Sequence, residues 1–158
     1  MAEVIPIGSD HAGFPLKERL VVELRALGYE PLDLGTDSAE SVDYPDYAHD
    51  VAARVESQEA RRGVLLCGTG LGMSYAANRH AGVRAAVAWS PDVARLSREH
   101  NDANVLILPA RFVSEPEGVQ ILRTWLETEF AVRYLPREMT SHHQRPPAST
   151  LFPAQALE

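Results

Sequence analysis

The sequence predicts an α/β protein: a three-layer, doubly wound (Rossmann-like) sandwich built on five parallel strands in the order 2-1-3-4-5. Three observations predict it. Short apolar runs alternate with helical patterns along most of the chain. The runs are apolar throughout rather than at every second residue, as in strands covered on both faces. A single helix separates each run from the next, which is the connection that parallel strands need.

The elements follow in order. EVIPIG (3–8) reads as a strand, and a helix from Gly13 to Leu27 follows, with Leu16, Leu20, Leu24 and Leu27 on one face. Gly28 stands where a helix ends on a left-handed residue. EPLDLG (30–35) is a short second strand, followed by a polar loop and a helix over 45–55. RGVLLCG is the third strand and runs directly into a glycine-rich turn and a helix over 71–80. VRAAVAW (83–89) is the fourth strand, and Ser90 and Pro91 open the next helix as N-cap and first residue. NVLILP (104–109) is the fifth strand, and the last long helix spans 115–130. Trp89 and Trp125 are most simply core.

The 158 residues, 45% hydrophobic, suffice for one domain with a sizeable core. We assign residues 1–137 to that domain and 138–158 to a C-terminal extension, an extended or disordered arm able to lie on a partner subunit. A net charge of −7 argues against broad binding to nucleic acid or anionic membranes. No apolar run reaches the roughly 20 residues of a membrane span. The amino terminus has no basic segment leading into an apolar one, and a single cysteine permits no internal disulfide. A cytoplasmic location is expected.

In an open parallel sheet a ligand site is expected at the carboxyl ends of the strands, where the strand order reverses. In the expected order this point lies between strands one and three. Ser9-Asp10-His11 follows the first and Cys67-Gly68-Thr69 the third. The turn CGTGLG, with Gly68, Gly70 and Gly72, can aim backbone N–H groups at an anion. A tight chain reversal explains the same glycines equally well. The spacing matches neither a dinucleotide fingerprint nor a Walker loop. The start of a helix stabilises a thiolate, which would make Cys67 a usable base. Cysteine is also among the most buried residue types, so an inert core thiol accounts for it as well. One cysteine without chelating neighbours argues against a metal site. His100 and Asn101, after the fourth helix, are expected to converge on the same sheet edge. A serine hydrolase is excluded, because G-x-S-x-G is absent.

GSDHAGFPLK (8–17), DLGTDSAESVDYPDYA (33–48), LLCGTGLGMSYAANR (65–79) and SREHNDANVLILPAR (97–111) together resemble the ribose-5-phosphate isomerase B and galactose-6-phosphate isomerase family. The resemblance runs from about residue 3 to about 137. It implies a sugar-phosphate isomerase without metal or cofactor, most simply acting on ribose 5-phosphate. Erythrose 4-phosphate, allose 6-phosphate and galactose 6-phosphate are the alternative substrates within the family. By resemblance Cys67 moves a proton between C2 and C1, and His100 opens the sugar ring. Asp10 and Thr69 hold sugar oxygens, and Asn101 touches the substrate. Backbone N–H groups from Gly68 through Gly70, Leu71 and Gly72 to Ser74 hold the oxyanion. His11, Arg111, Arg133 and Arg137 bind phosphate, the last two across the interface of a homodimer, alone or within a tetramer. Tyr134 and Pro136 depart from the family pattern between those two arginines. A sugar-phosphate-binding module without turnover and a flavodoxin-like nucleotide binder are the competing readings.

Overall fold

The computed structural model describes residues 1–35 and 44–131. Five strands and five helices alternate strictly. They are β1 (Val4–Ser9), α1 (Phe14–Ala26), β2 (Glu30–Asp33), α2 (Tyr44–Glu56) and β3 (Gly63–Cys67), then α3 (Leu71–Ala77), β4 (Ala85–Val87), α4 (Pro91–Glu99), β5 (Val105–Pro109) and α5 (Glu115–Glu127). All pairings in the single sheet are parallel. This is the expected three-layer α/β fold.

Its strand order is 2-1-3-5-4, so the last two strands are exchanged relative to the expected 2-1-3-4-5. Burial explains the exchange. Every residue of β5 is buried, whereas β4 is three residues long and only half-buried. The longer, wholly apolar strand takes the interior position, and the short one forms the edge. The reversal between β1 and β3 is unaffected.

Alternate residues of the central strands feed two cores. Val64, Leu66, Leu106 and Leu108 pack with α1, α4 and α5 on one face. Leu65, Cys67, Val105 and Ile107 pack with α2 and α3 on the other. The period of two along each strand dictates this division. Helix ends follow the local sequence. Gly28 (φ +87°) closes α1 with paired bonds, Gly28 N–H to Arg25 O at 3.1 Å and Tyr29 N–H to Leu24 O at 2.9 Å. Ser90 caps α4 through Val93 N–H, and Ser114 and Glu117 form a reciprocal capping box on α5. Trp125 is fully buried as expected, but Trp89 is 61% exposed. It follows the short edge strand, beyond the reach of either core. The extension 138–158 lies outside the described residues.

Candidate active site

The carboxyl ends of β1, β3 and β5 surround one cavity of about 430 Å³. Asp10, His11 and Ala12 line it from the turn after β1, and Cys67, Gly68 and Thr69 from the turn after β3. Gly72 and Tyr75 of α3 and Arg111 after β5 complete the wall. The observed strand order brings Arg111 in. With β5 beside β3, Ala110 N–H bonds Cys67 O at 2.8 Å and Arg111 N–H bonds Gly68 O at 3.1 Å. This pairing carries the guanidinium over Gly68.

Cys67 is both core and cavity wall. It is 5% exposed and packs among the α2–α3 side chains. Its Sγ accepts the Gly70 N–H at 3.1 Å, a bond that fixes the sulfur against the start of the glycine-rich turn. Gly70 makes that bond possible through a left-handed φ of +79°, and a Cβ there would stand 2.9 Å from Val87 Cγ1. Only glycine satisfies both conditions. Asp10 is 8% exposed, and its Oδ1 accepts the Gly13 N–H at 3.0 Å. That bond fixes the carboxylate against the start of α1. His11 Nδ1 and Ser9 Oγ are buried and have no hydrogen-bond partner among the described residues. An unmatched imidazole nitrogen on a cavity wall is a group that a ligand can satisfy. Lys17, the only lysine, is fully buried and paired with Asp33 and Glu18, which withdraws it from any ligand.

Of the residues singled out from sequence, Asp10, His11, Cys67, Gly68, Thr69, Gly72 and Arg111 meet in this cavity. Gly70, Leu71 and Ser74 stand beside it with their N–H groups already engaged. Gly70 bonds the sulfur, Leu71 bonds Thr69 Oγ1 at 3.3 Å, and Ser74 bonds Gly70 O at 3.0 Å. The helix begins at Leu71 and takes up the last of these, so fewer loop donors remain for an anion than the resemblance implies. His100 does not converge with the others inside one chain. It is the C-cap of α4, and α4 runs antiparallel to the strands. The loop after it joins the amino ends of the sheet, where Asn104 N–H bonds Arg84 O and Gly63 N–H bonds Asn104 O. Asn101 shares that loop. Cys67 lies at the far end of β3, roughly 13 Å of strand away. Arg133 and Arg137 lie outside the described residues. Tyr75 and Ala12 were missed. Tyr75 sits one helical turn beyond Gly72 on the face that looks into the cavity, a placement that the i, i+3 spacing could have revealed.

Known proteins resemble this chain in sequence and fold. The sequence model of the Ribose/Galactose Isomerase family matches residues 5–140. Ribose-5-phosphate isomerase B of Escherichia coli is 44% identical over 146 residues, covering 92% of this chain and 93% of that protein. The structure of ribose 5-phosphate isomerase from Thermotoga maritima superposes with a TM-score of 0.81 at 49% identity, covering 88% of this chain and 98% of that one. The structure of Mycoplasma genitalium ribose-5-phosphate isomerase B with bound ribulose-5-phosphate gives a TM-score of 0.79 at 39% identity, covering 83% and 88%. The chain therefore belongs to the ribose/galactose isomerase family.

Proposed function

We propose that the protein is an aldose–ketose isomerase that interconverts ribose 5-phosphate and ribulose 5-phosphate through a cis-enediolate. One observation carries the reading. The cavity holds a single thiol with a backbone donor on its sulfur, together with Asp10, Thr69, His11 and the Arg111 guanidinium. The names of the relatives above support the choice of sugar.

The chemistry divides among these groups. Cys67 as thiolate takes the proton from C2 of the open-chain sugar, and the C2–H electron pair forms the C1–C2 double bond. Negative charge moves to O1, facing the Gly68, Thr69 and Gly72 stretch. One preorganised donor at such a developing oxyanion lowers a barrier by about 2.7–4 kcal/mol. The thiol then returns its proton to C1 as the O2 proton passes to O1, which leaves the ketose. The second oxygen of Asp10, not used at Gly13, orients sugar hydroxyls, and His11 and Arg111 hold the phosphate.

Ring opening needs a further acid–base group, because Cys67, Asp10 and His11 are already committed to the proton transfer, the sugar hydroxyls and the phosphate. We assign it to His100 of the partner subunit in a homodimer, with Asn101 beside it. Support comes from the placement of His100 across the sheet and from exposed Leu71, Trp89 and Phe112, which follow β3, β4 and β5 at the carboxyl edge of the sheet. Ala131 N–H bonds Glu99 O, which puts the chain beside the His100 turn two residues before Arg133. Arg133 and Arg137 keep the phosphate-binding role given by resemblance. A cytoplasmic location agrees with the single cysteine, and among the described residues no helix is long and apolar enough to cross a membrane.

A panel of aldose phosphates tests the reading. Wild type should isomerise ribose 5-phosphate best, and Cys67→Ala should lose at least about 100-fold in kcat, as for a removed general base. A Cys67→Ala enzyme close to the wild-type rate would sink the mechanism.

A further inference from the structure

Tyr75 lines the cavity beside Cys67, and none of the roles above uses it. Its side chain is 70% exposed, and its hydroxyl has no hydrogen-bond partner among the described residues. It carries the one phenol ring of the cavity wall. Its backbone is held rigidly. Asn78 ties α3 to the edge strand, accepting Ala85 N–H at 2.9 Å and donating to Ala85 O and Ser74 O at 3.0 Å each. Tyr75 thus stands on the same rigid helix as Gly72, at a fixed distance from the Cys67 turn.

We propose that Tyr75 is a specificity-determining residue that gauges the length of the sugar between its reacting end and its phosphate. The inference rests on the isomerase reading. The reacting carbons must lie at Cys67 and the phosphate at His11 and Arg111, so the intervening carbons occupy the remaining wall. An exposed phenol ring gains by being covered with the C–H face of a sugar, and only two side-chain torsions are frozen in doing so. The unmatched hydroxyl can bond a sugar hydroxyl at the same time. A six-carbon phosphate brings one more carbon past this fixed ring. A difference of that size in a shaped pocket is worth about 10- to 200-fold in discrimination.

The test compares kcat/KM for ribose 5-phosphate and allose 6-phosphate in full-length wild type, Tyr75→Phe and Tyr75→Ala. Tyr75→Ala should lower kcat/KM for ribose 5-phosphate about tenfold, mostly through KM, and shift the five- to six-carbon ratio at least about fivefold toward allose 6-phosphate. Tyr75→Phe keeps the ring and should hold the ratio within about twofold of wild type while lowering both values about threefold. A Tyr75→Ala ratio unchanged within about twofold would overturn the proposal. So would a drop in activity that tracks loss of the assembled mass by light scattering, because Tyr75 would then be an interface residue. The two readings fail separately. A wild type inactive on ribose 5-phosphate refutes the isomerase reading, whereas an active wild type with an unshifted ratio refutes only the role of Tyr75.

Discussion

Gly68 owes its small size to Arg111. A Cβ at position 68 would lie 3.2 Å from Arg111 Cδ and Nε and 3.3 Å from Cζ. Those atoms belong to an exposed, flexible side chain, so Gly68→Ala is expected to fold normally and push the guanidinium aside. If Arg111 grips phosphate equally in ground and transition states, KM should rise about three- to tenfold with kcat within about twofold. Steady-state kinetics on ribose 5-phosphate check it, and an unchanged KM would remove Arg111 from the phosphate site. The same scale shows what a sequence can reveal about a site. Asp10, His11, Cys67 and Thr69 were legible because each stands at the end of a strand or within two residues of it, and the end of a strand fixes its place on the sheet edge. Arg111 was reached only by resemblance, since its seat depends on β5 lying beside β3. His100 was misplaced because it follows a helix, and a helix returns the chain to the opposite edge. Trp89 follows a strand too, but size and apolarity did not reveal that this strand forms the rim.

Elements were easier to read than their neighbours. All ten were evident from apolar runs and caps, because those signals are local. The exchange of β4 and β5 is a contest between two strands for one interior position, and it is decided by length and burial that appear only once the layers pack. A helix end and a contact between two helices make predictions. Gly28 closes α1 at φ +87°, and a Cβ there would meet nothing within 4 Å, so Gly28→Ala carries a purely conformational penalty of about 1 kcal/mol. Thermal unfolding should show a midpoint about 2–4 °C lower. Glu23 of α1, 3% exposed, is gripped by Arg123 of α5 at 2.6 Å and by Arg19 at 3.0 Å. The hydrogen bond from Arg123 holds its carboxyl below the usual range, against the opposing effect of burial and with help from Arg19. The folded-state value is thus lower than the unfolded one. The stabilisation is complete above the unfolded carboxylate range, about 4.3, and is lost as pH falls through the folded value. Both arginines are more than one-third exposed, so Glu23→Gln should cost only about 1–2 kcal/mol at pH 7. Urea unfolding should show that deficit shrinking below about pH 4. A deficit independent of pH would assign the loss to packing instead.

At the scale of the whole molecule, the decisive fact is that Cys67 and His100 lie on opposite edges of one sheet. In the proposed homodimer the carboxyl edge of each subunit meets the amino edge of the other, and two equivalent sites form about a twofold axis. Each site then takes its base from one chain and its ring-opening group from the other. Mixed dimers separate this arrangement from every one-chain alternative. Cys67→Ala and His100→Ala homodimers should each be nearly inactive. A heterodimer of the two carries one site with both groups intact and one site with neither. Random exchange of equal amounts makes half of the dimers mixed, so activity should recover to about a quarter of the wild-type value. If His100 served its own chain, each site of the heterodimer would lack one group, and mixing would restore nothing. An open-chain substrate bypasses ring opening, so His100→Ala should keep more activity toward it than toward the furanose. Recovery on mixing and that substrate dependence are independent consequences of one geometry, in which a helix delivers its terminal histidine to the edge of the sheet farthest from its own thiol.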